Sequence, residues 1–315
     1  MGLGNWFRRA LGRGRTQTLR GASVDGFYGD EALMEGDFVV AKGRRHVATA
    51  PYLLPKDLQE GSRLEFQHYM LRYALKGNYA APLTNPRDIL DIGTGTGRWA
   101  IEMATVFPQA NVVGIDLVTP ANDANKTTEA AHLANYVFVQ ANVLDGLPFA
   151  DNSFDFVHER LLVFGIPTAR WADLYREAYR LVRPGGWVES VEADAFPENG
   201  GPDMDRIGQW VVELSKRRGI DVFAVRQNGA MLAQAGFVNV GTRDVILPGG
   251  ATGGRLGSLV TTDYFAVVSG LRGALAAQGM VSPEEFDYVL ERARVSVNQH
   301  PCRFHFPLAI GQKMV

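Results

Sequence analysis

The chain has 315 residues, 46% hydrophobic and 21% charged, a soluble globular composition with enough apolar side chains for a large core in one decorated domain or two modest ones. A formal net charge of −2 gives no global reason for nucleic acid or an anionic membrane as a partner, and a single cysteine, Cys302, excludes an intramolecular disulfide. That cysteine usage fits a reducing, cytoplasmic location.

The charge is uneven. Residues 1–20 hold Arg8, Arg9, Arg13, Arg15 and Arg20 with no acid, which leaves −7 on the remainder. Trp6, Phe7 and Leu11 among those arginines allow a short interfacial helix, whereas Gly12, Gly14 and Gly21 break it, so residues 1–21 read as a basic flexible tail. The start lacks the uninterrupted apolar core of a signal peptide, and no apolar run approaches a membrane span.

Residues 22–55 are Gly-rich and irregular, with Tyr28, Phe38 and Tyr52 as scattered anchors. A helix is predicted from Ser62, where Ser62 and Glu65 match the capping-box pattern. Leu64, His68, Leu71 and Leu75 follow on one face, and Gly77 supplies the stop. Strands are then predicted at 88–93, 111–116, 136–142, 154–160 and 185–193. Helices from about Arg98 to Phe107 and over 169–181 alternate with them, and Pro120 with its polar neighbours suggests only a short helix after Asp116. Such alternation predicts a parallel sheet with helices on both faces.

The last third differs. A helix at 203–218 precedes a strand at 237–247, two more helices fit 256–278 and 283–298, and a β pattern closes the chain at 303–313. Those two helices interrupt an antiparallel hairpin, the place for a cover over a site. His300, Cys302 and His305 lie close together but complete no familiar ligand spacing, so no metal is expected. The expected division is a tail at 1–21, an N-terminal cover at 22–80, a core at 81–254, a helical insertion at 255–300 and a final core strand at 301–315.

Residues 89–100 read ILDIGTGTGRWA: apolar residues, the acid Asp91, then Gly93, Gly95 and Gly97 before an amphipathic stretch. A buried strand turning sharply into a helix needs this composition, and the new helix directs unpaired N–H groups at a ligand. The dinucleotide fingerprint starting at Gly93 requires glycine where Arg98 stands. Residues 112–116, VVGID, end a second strand in Asp116, placed to accept hydrogen bonds from both hydroxyls of a ribose. A nicotinamide dinucleotide and S-adenosylmethionine satisfy that feature equally.

Two later segments separate them. Residues 140–156 read QANVLDGLPFADNSFDF and residues 181–189 read LVRPGGWVE. With these motifs in order, the chain resembles the class I S-adenosylmethionine-dependent methyltransferases over roughly residues 60 to 193. RLEFQHYMLRYALKGNYAAPL ahead of the glycine loop narrows the resemblance to the family of fungal secondary-metabolism regulators and small-molecule O-methyltransferases. It implies a Rossmann-like, seven-stranded, mostly parallel sheet with an N-terminal helical cover and a helical insertion before the last strand. The cofactor implied is S-adenosylmethionine, its methionine end along Gly93, Thr94 and Gly95, its ammonium on Asp91, its ribose on Asp116 and its adenine against Leu117. Asn142 stands where many relatives have an acid for the adenine amine, Val143 offers the adjacent N–H, and Glu159 lies near the methionine moiety.

The implied function is methyl transfer to a small-molecule acceptor, an oxygen (phenol, hydroxyl or carboxylate) of a secondary metabolite. A carbon methyltransferase, another S-adenosylmethionine-dependent reaction on the same fold, or a cofactor-binding regulator remain alternatives. A protic acceptor calls for a base. His68, on the inward stripe of the first helix, and His158, at the end of its strand, are the candidates, and a structural histidine is the competing reading of each. Strand alternation puts His158 and Glu159 on opposite faces, so one of the two reaches the site. Nucleic acid is not expected as a partner, since no basic stripe lies outside the first 20 residues. The acceptor and the oligomeric state are open.

Overall fold

The computed structural model describes residue 27 and residues 33–35, 38–41, 43–48, 50–119 and 133–315. The basic tail, Tyr28 and the segment from Pro120 lie outside the described residues. A small antiparallel sheet comes first, β1 (Leu33–Glu35), β2 (Phe38–Ala41) and β3 (Arg44–Val47). Helix α1 (Leu58–Leu75) follows. The central sheet holds β4 (Asp88–Ile92), β5 (Asn111–Asp116), β6 (Tyr136–Gln140), β7 (Phe154–Arg160), β8 (Val182–Val191), β9 (Val238–Pro248) and β10 (Arg303–Gln312). Its order is β6-β5-β4-β7-β8-β10-β9. Strands β4 to β8 pair in parallel, and β10 runs antiparallel to both neighbours. This is the Rossmann-like, seven-stranded, mostly parallel sheet expected from the sequence.

The strand sequences explain the centre. Every residue of β4, DILDI, is buried, as are Val112 to Asp116 of β5. Strands covered on both faces need near-continuous apolar runs. Helix α2 (Arg98–Val106) buries Trp99, Ala100, Ile101, Met103 and Ala104. Helix α3 (Trp171–Leu181) places Trp171, Leu174, Tyr175, Ala178 and Leu181 on one buried face at helical spacing. Helices α4 (Pro202–Lys216) and α5 (Asn228–Gln234) lead into β9, and α6 (Gly254–Ala277) with α7 (Pro283–Ser296) forms the connection from β9 to β10. None of the helices among the described residues is long and apolar enough to cross a membrane.

Two local expectations change. Helix α1 starts four residues before Ser62: Asp57 is the N-cap, its carboxylate accepting from Glu60 N at 3.0 Å, and the Ser62 hydroxyl instead donates to Leu58 O. An earlier side chain with the same capping ability wins, and it is further fixed by Arg44. The helix ends at Lys76 (φ 61°), one residue before the glycine expected to stop it. The other change is at the start of β8, which begins at Val182 rather than at residue 185 and so takes in Pro184; the pairing with β7 shifts register there, between Phe154 and Phe156. A Cβ on Gly186 would sit 2.7 Å from Asp155 O, so only glycine lets the strands meet at this bulge.

Candidate active site

The chain runs from β4 outward to β6, then returns to place β7 on the other side of β4, so strand order reverses at β4. Ligands of open α/β sheets sit beyond the carboxyl ends of the strands at such a point. A cleft of about 1160 Å³ opens there. It is lined by the loop after β4, the ends of β5 and β7, residues 141–144, α1 and the strap that includes Tyr52 and Lys56.

The loop after β4 takes its shape from left-handed backbone at Gly93 (φ 69°) and Gly95 (φ 58°). A Cβ on Gly93 would lie 2.3 Å from Leu162 Cδ2, across the cleft. Thr94 is turned inward: its N–H donates to Ile115 O at 2.8 Å and its hydroxyl to Asp91 Oδ2 at 2.6 Å. Gly114 on β5 admits it, because a Cβ there would stand 2.8 Å from Thr94 Oγ1.

Asp91 is shared. Its second oxygen, Oδ1, lies 2.8 Å from His158 Nδ1, and the His158 ring stacks on Trp99 with centroids 3.8 Å apart. Adjacent parallel strands set this up, since Asp91 of β4 is the register partner of His158 of β7. An imidazole held by a carboxylate at Nδ1 carries its proton there.

Asp116, at the end of β5, accepts from Gly95 N at 2.9 Å through Oδ2 and from Lys56 Nζ at 3.1 Å through Oδ1. Burial opposes Lys56's charge, but Asp116 and Tyr52 raise its pKa overall. Nothing in the strand pattern marked Lys56, which arrives from the strap before α1. Leu117 lines the cleft beside Asp116. Asn142 caps a short 3-10 turn, Val143–Asp145: its side-chain oxygen accepts from Leu144 N at 3.1 Å and its nitrogen donates to Asp145. Asn142 and Val143 line the cleft.

Glu159 does not line the cleft. Its side chain is buried with Tyr175 and Ser190, and burial raises its pKa. The period-two alternation of β7 sends His158 to the cleft and Glu159 to the other face. The next inward residue is Arg160, which the sequence reading missed. It is half-buried, its one hydrogen bond among the described residues goes to His68 Nδ1 at 3.2 Å, and burial lowers its pKa. Continuing the alternation two residues past His158 would have found it.

His68 lies between two charges. A guanidinium only donates, so Arg160 occupies the Nδ1 lone pair, and Nε2 stands 3.2 Å from Glu102 Oε2. Burial and Arg160 push the His68 pKa down to about 4. Nδ1 is therefore taken by Arg160, while Nε2, though close to Glu102, makes no hydrogen bond among the described residues.

A second cavity of about 770 Å³ adjoins the cleft, and Tyr52, Leu64, Gln67 and Leu161 line both. Its walls are mostly apolar: Val260, Val267 and Val268 of α6, Phe304 and Phe306 of β10, and Phe164. Arg63 and Asp263 form its polar corner, 2.9 Å apart, with Gln67 beside them. Burial raises the Asp263 pKa, with Arg63 opposing. Neither His68 nor His158 lines this chamber, so the structure places both candidate bases in the cleft alone.

The methyltransferase-domain family matches residues 89–186. The chain is 30% identical over 241 residues to the N-methyltransferase sirN of Leptosphaeria maculans, an alignment covering 74% of this chain and 83% of that protein. It is 33% identical over 206 residues to the secondary metabolism regulator laeA of Aspergillus fumigatus, covering 62% of this chain and 53% of that one. With the methyltransferase str2 of Strobilurus tenacellus it shares 35% identity over 151 residues, 46% of this chain and 51% of that protein. The chain spans about half the length of the laeA proteins it matches. It belongs to the class I S-adenosylmethionine-dependent methyltransferases, and within them it is related to the fungal secondary-metabolism proteins.

Proposed function

We propose that this protein transfers a methyl group from S-adenosylmethionine to a small, largely apolar molecule. The observation that carries the reading is the pair of joined cavities, one ringed by charged and backbone donor groups, the other apolar and beneath α6. When bound, the cofactor supplies a methyl group on a positively charged sulfur.

The residues of the cleft fit that cofactor. Asp116 keeps lone pairs for the ribose hydroxyls beside its bonds to Gly95 and Lys56. Leu117 packs against the adenine, with Asn142 and Val143 beyond it. Gly93, Thr94 and Gly95 let the ligand lie along bare backbone. At the other end Asp91 faces the ammonium, its position fixed by Thr94 and His158. Arg160 is the partner for the methionine carboxylate, because a half-buried guanidinium that lines the cleft with one hydrogen bond gains from an anion. His68 orients Arg160.

Holding the acceptor in line with the methyl group supplies most of the protein's contribution, on the order of 7–11 kcal/mol in favourable cases. The apolar chamber excludes water, which favours a step that disperses charge. An oxygen acceptor, as the sequence suggests, has to bring its own acidity, because no imidazole lines the chamber. A nitrogen acceptor needs no base for the attack, and the relative matched over most of its length is named an N-methyltransferase.

Incubation with methyl-labelled cofactor and a small-molecule panel tests the reading. Label is expected in small molecules; label confined to bound protein would favour a regulatory role instead.

A further inference from the structure

Gln67 stands where the two cavities meet and is 9% exposed. Its Nε2 donates to Asp263 Oδ2 at 2.7 Å. The carboxylate accepts, so the amide nitrogen must face it, and the carbonyl oxygen is turned away. That oxygen takes no hydrogen bond from any described residue. The orientation is set by a chain of contacts from α1 to α6. Arg63 donates to Asp263 Oδ1 at 2.9 Å and to both oxygens of Glu60, at 2.7 and 2.9 Å. Two carboxylates therefore surround one guanidinium, beside the junction.

From this arrangement we infer that Gln67 receives a neutral amine of the acceptor through its side-chain oxygen and holds it at the junction for methylation. The inference rests on the methyltransferase reading and narrows its acceptor to an apolar amine. An N–H donates to Gln67 Oε1, leaving the nitrogen lone pair directed at the methyl carbon. The lone pair forms the N–C bond, the S–C bond breaks with its electron pair left on sulfur, and the nitrogen becomes an N-methylammonium. No proton has to leave during the step. The ammonium keeps its bond to Gln67, gains from the surplus carboxylate beside it, and loses its proton to water after release. A hydroxyl in the same place would have to shed its proton to give a neutral ether; an amide oxygen is too weak a base to take it, and both Asp263 oxygens are already accepting, from Arg63 and Gln67.

The test uses methyl-labelled cofactor with naphthylmethylamine and naphthol as probes for the apolar chamber. The wild type is expected to label the amine and leave the naphthol unlabelled. Gln67→Met keeps the size of the side chain and removes the acceptor. It should lower kcat/KM for the amine by about tenfold or more, the scale of one lost hydrogen bond to a polar reacting group, with cofactor affinity unchanged. Labelling of naphthol alone, no labelling of the amine by protein that binds cofactor, or wild-type amine kinetics in Gln67→Met overturns the inference and leaves the methyltransferase reading standing. A wild type that shows no S-adenosylmethionine binding by calorimetry removes that reading and this inference together.

Discussion

His158 Nδ1 lies 2.8 Å from Asp91 Oδ1, and the same ring is stacked against the Trp99 indole. The imidazole is thus wedged between the carboxylate at the end of β4 and the first turn of α2. That geometry fits a positioning residue for Asp91. His158→Gln should weaken S-adenosylmethionine binding several-fold, about 1 kcal/mol, as one charge-assisted contact to Asp91 is loosened. Calorimetry checks it: a base would instead lose turnover at unchanged affinity.

Asp116 is the residue proposed to hold the ribose. Asp116→Ala should reduce affinity by about one to two orders of magnitude, the worth of hydrogen bonds to a charged group, while circular dichroism stays that of the wild type. Unchanged affinity in a titration would remove Asp116 from the ribose site.

Arg160 is expected to recognise a carboxylate. Arg160→Met should weaken S-adenosylmethionine binding by about tenfold or more, whereas decarboxylated S-adenosylmethionine should bind both proteins alike. Equal losses for the two ligands would mean that Arg160 only supports the cleft.

The depressed pKa of His68 links folding to pH. Its folded value of about 4 lies below the ordinary 6.5, so the unfolded chain binds the proton more tightly. Above pH 6.5 both states are neutral and the group contributes nothing to the slope. As pH falls from 6.5 towards 4 it costs stability at up to about 1.4 kcal/mol per pH unit. Urea unfolding at pH 7 and pH 5 should show a smaller loss for His68→Gln than for the wild type. His46, also lowered to about 4, contributes its own slope to both proteins.

Glu192 joins the buried pair with Glu159, and both pKa values are raised by burial. Its oxygens accept from Leu162 N at 2.6 Å and Val163 N at 3.0 Å, holding the turn at Leu161, whose φ is 58°. A raised folded pKa means that stability declines as pH rises above the ordinary carboxylate value. Glu192→Gln, neutral at every pH, should lose this pH dependence, while its single amide oxygen serves only one of the two N–H donors. Glu192→Ala leaves two buried N–H groups unsatisfied and should cost about 2–5 kcal/mol in denaturant unfolding.

Much of the cofactor cleft could be read in the chain. Asp91, Gly93, Gly95 and Asp116 sit at the ends of two strands whose apolar runs are continuous, and a parallel sheet has only one place for such ends. The failures have equally local causes. The resemblance puts Glu159 near the methionine moiety, and the alternation that lets only one of His158 and Glu159 reach the site admits His158. Ser62 was taken as a helix start because its spacing to Glu65 is right, but Asp57 caps first.

Lys56, Gln67, Arg160 and Asp263 were not legible as a group. Lys56 meets Asp116 across 60 residues and Gln67 meets Asp263 across 196, and no spacing encodes such contacts.

The sequence by itself determined the sheet, the glycine turn and the acids at its rim, because backbone conformation and strand burial depend on residues within a few positions of each other. Only the tertiary structure decided which polar groups are left open and which are spent on one another. The Nδ1 of His68 and the amide nitrogen of Gln67 are claimed by side chains from distant elements, and that pairing exists only once α1, β7 and α6 have packed.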